Sequence, residues 1–543
     1  MAIKKIKIWN FKKYKQFECE FNSGINILVG DNESGKSTIL DAIHLALTGT
    51  YRGRYIKDEI TPYLFNYEAV CEYINAIASN RPIAPPSLKI EIYFDGSIDP
   101  EFEGDNNSEK SNKVEGFSFS FVFSEQYKEE YGRLIKQNGI HSLPTEYYYA
   151  VWESFARDHT ISTRSIPVKS VFIDSSNYRY QYGSDAYISR IIKDLLEPED
   201  VISVSQAYRE MIESFSKNNA IGKINKKISD ESTITQSVIT LGADLGNKNS
   251  WETSLVAQIA GIPFGYCGKG TQCVVKTELA LGAKKTSNAK VVLIEEPESH
   301  LSYSTLNSLI SIIGSRCIGK QIILSTHSSF VANKLGLSHL LLLNDTRIVR
   351  LSDLSSSDFF KKLAGYDTLR MVLCKRAILV EGASDELVVQ RAYMDSHSGK
   401  LPIEDGIDVI SVGTAFLRFL EIAECLNINT AVVTDTDGNV DALKKKYKKY
   451  IDKKYDGSIK ICYDECIDKV EGDDFNYDTL EPKMLKANSL GLFNIIFNTD
   501  YSDIHELQQY MKSNKTECAL AIFNSDMKVN YPDYILRAIN NDK

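Results

Sequence analysis

The chain has 543 residues, of which 25% are charged and 43% hydrophobic, and its formal net charge is −9. This composition excludes a disordered chain, and no apolar run approaches the ~20 residues of a membrane span, so a cytoplasmic globular protein of roughly two to four domains is expected. The negative balance also excludes a surface coated for nucleic acid, so contact with DNA has to come from local basic patches.

The opening stretch MAIKKIKIWNFKKYKQFECEF alternates apolar residues with Lys, as an antiparallel hairpin does and a signal peptide does not. INILV (Ile25 to Val29) reads as a buried strand, GDNESGKST follows it, and ILDAIHLALTG puts Ile39, Ile43 and Leu47 on one helical face before stopping at Gly49. Strand, glycine-rich loop and helix are the context of a Walker A loop. Gly30 and Gly35 let backbone N–H groups wrap phosphates, Lys36 reaches the β- and γ-phosphates, and the Ser37 hydroxyl ligates Mg²⁺. Asn32 and Thr38 of the same loop complete the expected ATP contacts.

LKIEIYF (Leu88 to Phe94) and FSFSFVF (Phe117 to Phe123) alternate as strands, and the acidic connection between them reads as a mobile loop. From Asp185 to about Lys226 the pattern turns helical, which predicts an α-rich insertion at about 185–250 that is long enough for a dimerisation arm; no heptad run or internal repeat is present. The loop GYCGKGTQ, with Gly268, Gly270 and Gln272, precedes the helical VVKTELAL and so could aim a helix N-terminus at phosphate.

KVVLIEEPESHL and QIILSTHSSFV are apolar strands that end in polar residues, as doubly wound sheets do at their carboxyl edge. Glu295 fits a residue that orients Mg²⁺ through water, Glu296 the residue that polarises the attacking water, and His327 a γ-phosphate sensor. With the Walker A loop, EPESHL and this His resemble the head domains of ABC-type ATPases of the RecF/SMC kind. The resemblance implies that ATP is hydrolysed between two paired heads, each offering a signature loop to the other's nucleotide, for which Gly268, Gly270 and Gln272 of GYCGKGTQ are the candidates although the Leu-Ser-Gly-Gly order is missing. About 260 residues separate the two motifs, too few at ~1.5 Å per residue for the long arm of a chromosome-organising ATPase.

A new unit begins near Met371, where KRAILVEGASDELVVQRAY reads as strand, turn and helix, with VISVG, NTAVVTDTDGN and LGLFNIIFN as further strands. Asp385 falls one helical turn after Glu381, and Asp435 and Asp437 stand two apart at a strand end, where extended geometry would point both the same way. Carboxylates gathered this way repel one another unless a divalent cation holds them. The Lys-rich LKKKYKKYIDKKY (Leu443 to Tyr455) is either a DNA contact or a solvated helix face. The ten cysteines are scattered, without a Cys-x-x-Cys pair, and Cys462 and Cys466 fit packing better than ligation.

E-G-x-x-D followed by D-x-D resembles the Toprim fold of topoisomerases, primases and certain nucleases. The resemblance implies that Asp435 and Asp437 bind Mg²⁺ (with Mn²⁺ as a substitute) and that Glu381 is a further ligand or the acid/base of phosphodiester cleavage. Joined to a RecF-like head, this is similar to the OLD (overcoming lysogenization defect) family, which includes the nuclease subunit of Gabija antiphage systems and effectors of some retrons. The fold implied is α/β: a RecF/SMC-like ABC ATPase head with a short helical insertion over 1–370, then a C-terminal Toprim domain over 371–543. In that family a late Lys stabilises the phosphate transition state, a role that Lys515 in NKTECAL fits; the alternative is an exposed Lys in a short loop. A late acidic ligand matches Glu481 in YDTLEP, with Asp478 beside it, although Pro482 departs from the pattern and Asp473 and Asp474 compete.

The function implied is an ATP-regulated, Mg²⁺-dependent DNA endonuclease of an antiphage system. Its partners would be DNA, further copies of the chain through the heads, and either a reverse transcriptase with its RNA–DNA hybrid or a UvrD-like helicase. The alternative is a RecF-like DNA-binding repair ATPase whose Toprim domain is not catalytic. A topoisomerase or primase is a third reading without support, because the chain has no zinc-binding cysteine set and no tyrosine that stands out as a nucleophile.

Overall fold

The computed structural model describes the chain apart from residues 1, 53, 59, 80, 82, 97–98, 139, 158–159, 175–179, 182–183, 186–195, 232–239, 242–250, 252–256, 283–285, 287, 345, 356–365, 453–456 and 541–543. It divides into two compact units, one of residues 1–25 and 37–325, the other of 26–36 and 326–543.

In the first unit the alternating opening forms the predicted hairpin, Ile3–Phe11 against Tyr14–Glu20. It is one side of a five-stranded antiparallel sheet that continues through Leu88–Phe94, Gly116–Phe123 and Tyr148–Ser154. Ile6, Ile8, Ile90, Phe119 and Phe121 are fully buried in it. The acidic connection expected to be mobile is tied down instead. Ser108 donates to buried Glu91 at 2.7 Å through its hydroxyl, and the Asn107 amide bridges the carbonyls of Gly104 and Ser111, each at 2.8 Å.

Three parallel strands follow, with Val291–Glu295 between Ser170–Asp174 and Gln321–Thr326. Such strands, covered on both faces, need continuous apolar runs, and Val291, Val292, Leu293 and Ile294 are fully buried. Parallel register aligns their carboxyl ends and places Glu295 beside Asp174 and Ser325. The insertion contains the helices Pro198–Ser216 and Asn219–Glu231, while the helical reading of 186–195 lies outside the described residues.

In the second unit the strand leading into the Walker loop pairs in parallel with Leu340–Asn344, which turns back antiparallel into Arg347–Arg350. A four-stranded parallel sheet runs in the order Ile407–Ser411, Arg376–Val380, Asn429–Val433, Ile459–Cys462. Its core joins Ile378, Val388, Val433, Leu507 and Ile535. LGLFNIIFN, expected as a strand, is the helix Leu490–Phe497. Ser489 caps its start by accepting from Leu492 N–H, and Asn498 ends it in the left-handed region at φ 54°. No helix among the described residues is long and apolar enough to cross a membrane.

Candidate functional site

The Walker loop is built to approach phosphate closely. A Cβ on Gly30 would meet the Leu343 carbonyl at 2.5 Å, and Gly35 holds φ at 102°, so both glycines are required by the backbone itself. The helix Lys36–Thr48 starts at the lysine, whose buried ammonium donates to the carbonyls of Gly30 and Asp31, each at 2.9 Å. Ser37 stands exposed in the first turn, Thr38 is buried, and Asn32 is exposed at the loop tip. This arrangement fits a nucleotide, because the first turn of a helix leaves N–H groups free and favours anions.

Glu295 ends its strand within hydrogen-bonding reach of Ser37. Burial pushes its carboxyl up to about 7; the Ser37 hydroxyl opposes this, and Asp174, Asp41 and Glu296 add to it. Lys12 holds Asp41 in an ion pair at 2.5 Å. A hydroxyl beside a reluctant carboxylate fits Mg²⁺, which is commonly held by one or two protein groups plus substrate phosphates. Glu296 takes the left-handed region at φ 40°, an uncommon conformation for a non-glycine residue, and its N–H donates to the Ser325 carbonyl at 3.1 Å. Asp174 is the member the sequence reading missed; its signal was SVFID, an apolar run that ends in an acid just as VVLIE does. His327 follows the strand Gln321–Thr326 directly.

At the candidate signature loop a helix does begin, at Lys269. Gly268 is open, whereas a Cβ on Gly270 would meet the His300 carbonyl at 2.7 Å, so that glycine lets the loop pack on the EPESH turn. Gln272 corrects the expectation. Its side chain is fully buried and its amide donates to the carbonyls of Phe264 at 2.9 Å and Cys267 at 2.8 Å, which shapes the loop from inside.

The Toprim carboxylates come from separate segments. Glu381 follows Arg376–Val380 and is exposed; Asp385, in the first turn of Ala383–Ser396, accepts from Gly382 N–H at 3.0 Å. Asp435 lies two residues beyond Asn429–Val433 and accepts from Leu480 N–H at 3.0 Å. That donor is the first residue of the helix Leu480–Ala487, and Pro482 costs nothing in that first turn, where its missing N–H has no helical partner. Glu481, its side chain 6% exposed, faces the Lys515 ammonium at 3.2 Å.

Burial pushes Asp385 up to about 6, opposed by the Gly382 N–H and reinforced by Glu481 and Glu381. Asp435 is driven well above the carboxylate range, first by burial, then by Asp385. Burial alone would depress Lys515, but Glu481, Asp435 and Asp385 outweigh it and hold the ammonium above its ordinary value. Lys515 is not a loop residue; it opens the helix Lys515–Asn524, which packs on Ala383–Ser396.

Neither Asp435 nor Asp437 lies on the strand, so extended geometry does not set their directions. The strand has ended at Val433, Asp437 takes φ 48°, and its exposed carboxylate accepts from the Asn476 amide at 3.0 Å. Of the competing late acids, Asp478 pairs with Lys483 at 3.1 Å, Asp473 accepts from the Tyr477 hydroxyl at 2.5 Å, and Asp474 is exposed, which leaves Glu481 facing the cluster. The lysine-rich stretch forms the helices Val440–Lys446 and Lys448–Ile451 around buried Tyr447, with Lys449 paired to Glu424 at 2.5 Å.

Among the described residues, no three His, Cys, Asp or Glu side chains form a complete metal-ligand set. The cluster nonetheless fits a divalent cation: buried carboxylates outnumber the one lysine that faces them, and the Thr436 hydroxyl between the two aspartates is buried without a hydrogen-bond partner.

Residues 5–245 match an AAA domain, 273–333 an AAA domain described with a putative AbiEii toxin of a type IV toxin–antitoxin system, and 372–437 an overcoming lysogenization defect protein-like TOPRIM domain. A DNA double-strand break repair Rad50 ATPase of Thermoplasma acidophilum is 34% identical over 137 residues, 23% of this chain and 15% of that protein. A DNA replication and repair protein RecF of Clostridium kluyveri is 45% identical over 96 residues, 18% of this chain and 25% of that protein. The chain thus spans a quarter or less of these relatives' length. An SMC head bound to the C-winged helix domain of ScpA superposes with a TM-score of 0.31 at 17% identity, covering 64% of this chain and 98% of that one. The recombination mediator protein RecF gives a TM-score of 0.31 at 14% identity, with the same coverage.

Proposed function

We propose, from the premise that the chain joins an AAA-type ATPase domain to an OLD-like Toprim domain, the architecture of the OLD family of nucleases, that it is an ATP-regulated, Mg²⁺-dependent DNA endonuclease. The observation that carries this reading is the charge at the Toprim cluster: Asp385 and Asp435 are both pushed upward by burial and by like charges, and the Lys515 ammonium beside them is paired with Glu481. A retired site has no reason to keep such repulsion.

Glu381, Asp385, Asp435 and Glu481 would hold the cation, with Asp437 at its exposed margin. A divalent ion there supplies charge stabilisation to the phosphate and lowers the pKa of water. Glu381 is exposed and able to meet substrate as acid or base. Lys515 offers a fixed positive charge to the phosphate, and Leu480 N–H and Gly382 N–H keep Asp435 and Asp385 oriented.

In the ATPase domain, Lys36 and the loop amides would bind the ATP phosphates, and Ser37 with Glu295 would bind Mg²⁺. Glu296 would polarise water and His327 would sense the γ-phosphate. Gly268 and Gly270 would present their loop to a second copy, making the working form a dimer or larger. The proposal takes 1–370 as the ATPase domain and 371–543 as the Toprim domain. The OLD-like match supports service as a cytoplasmic antiphage effector, with a reverse transcriptase and its RNA–DNA hybrid, as in retrons, or a helicase, as in Gabija, as partner.

The test is incubation of supercoiled plasmid with the chain and Mg²⁺ or Mn²⁺. Nicked or linear product that chelator abolishes is expected. ATP hydrolysis and DNA binding without any cut, with Mg²⁺ or Mn²⁺ and with or without ATP, would favour the RecF-like repair ATPase instead.

A further inference from the structure

Two residues beyond Glu481, the side chain of Lys483 is only 3% exposed, and its ammonium lies 2.9 Å from Asp464, 2.7 Å from Asp468 and 3.1 Å from Asp478. It also donates to the Cys466 carbonyl at 2.8 Å, so three protons meet four acceptors. A cation is buried in this way only when it is fully paired, and its removal leaves carboxylates facing one another. Lys486 takes a second share of Asp468 at 2.6 Å, whereas Asp478, its side chain 2% exposed, has Lys483 as its cation.

Asp478 sits at the centre of the contacts between this segment and the DTDG turn. One of its oxygens accepts from Asp468 N–H at 2.9 Å, and the other lies 3.3 Å from where a Cβ on Gly438 would be. Asn476 accepts from Asp478 N–H at 3.0 Å and passes its own amide to Asp437, while Leu480 N–H reaches Asp435, each again at 3.0 Å. Residues 476 to 481 therefore touch both aspartates of the turn, and the ammonium that fixes them arises one helical turn further along the same helix.

We infer that Lys483 is a positioning residue of the Toprim site: by holding Asp478 it seats the first turn of Leu480–Ala487, which carries Glu481, against Asp435, and so sets the affinity for a divalent cation that it does not touch. The inference rests on the nuclease reading of that site. Partners at this remove from a metal commonly change affinity by about 10- to 100-fold.

The experiment is Mn²⁺ binding to the full chain, followed by electron paramagnetic resonance, for wild type, Asp435→Asn, Lys483→Gln and the double variant Lys483→Gln/Asp478→Asn. ATP binding at the Walker loop serves as the folding control. Lys483→Gln is expected to bind Mn²⁺ at least about tenfold more weakly, and the double variant, in which the bared Asp478 charge is also removed, to recover most of that loss. Wild-type affinity in Lys483→Gln, with binding abolished in Asp435→Asn, overturns the inference and leaves the nuclease reading standing. If Lys483→Gln fails to fold, Lys483→Arg decides: a larger, planar cation keeps the charge but alters the hold on Asp478, so weakened Mn²⁺ affinity in the folded variant supports the inference and wild-type affinity overturns it. A wild type without Mn²⁺ binding sensitive to Asp435→Asn overturns both.

Discussion

The two carboxylate centres differ in how many ligands the chain brings for itself. Near the Walker loop Glu295 is pushed up to about 7 and shares its place with the Ser37 hydroxyl, while Asp41, also raised by burial, is held by Lys12. At the Toprim cluster Asp385 and Asp435 are both raised and lean on each other, with Glu481 next to them. Mg²⁺ that arrives with ATP brings phosphate oxygens along and needs few protein ligands, whereas a nuclease has to hold its ion ready for a passing backbone. On the proposed reading, regulation belongs to the first centre and cutting to the second.

The largest expected effect separates the two most sharply: Asp435→Ala should lower plasmid cleavage by at least about 10³-fold, since a metal's charge stabilisation amounts to several kcal/mol, and should leave ATP hydrolysis in place. Lys515→Met, which removes the cation facing Glu481, is expected to cost cleavage about 10²- to 10³-fold, measured as single-turnover nicking, with ATP affinity unchanged. In the other direction, Lys36→Ala should weaken ATP binding by roughly 10- to 100-fold in a fluorescent-nucleotide titration, the loss of charge-assisted hydrogen bonds, and leave Mn²⁺ binding at the Toprim cluster untouched.

The smallest effect is a pH dependence at Glu295. Its carboxyl is raised in the fold from an ordinary 4.5 to about 7, so the folded chain holds the proton more tightly than the unfolded chain. The stability this gives is fully present below the unfolded value and is lost as pH rises through about 7. Without metal or nucleotide, the Tm of wild type should therefore fall between pH 5.5 and 8 by roughly 2 °C more than that of Glu295→Gln. Equal slopes in scanning calorimetry would remove Glu295 from the account of that centre.

The Walker loop was readable because its chemistry is local: nine consecutive residues carry the glycines, the lysine and the serine, and the strand and helix on either side have their own periodicity. The Toprim ligands were readable as types but not in their directions. Alternation predicted that Asp435 and Asp437 point together, but the strand stops at Val433 and Asp437 itself takes the left-handed region, so alternation does not apply to them. Asn476, Leu480 N–H, Lys483 and Asp174 escaped the sequence reading because each acquires its role from a partner distant in the chain. LGLFNIIFN was misread because a short apolar run fits a buried strand as well as a helix, and only the caps Ser489 and Asn498 decide between them. Gln272 looked like a nucleotide contact until its burial showed the amide turned inward.

The central claim, that Asp435 belongs to the cutting centre and Lys36 to its control, is tested most directly by metal-dependent plasmid cleavage with Asp435→Ala at saturating Mn²⁺, with ATP binding measured on the same preparation. The account predicts no cleavage above background and wild-type ATP affinity. Cleavage at the wild-type rate by that variant would contradict it.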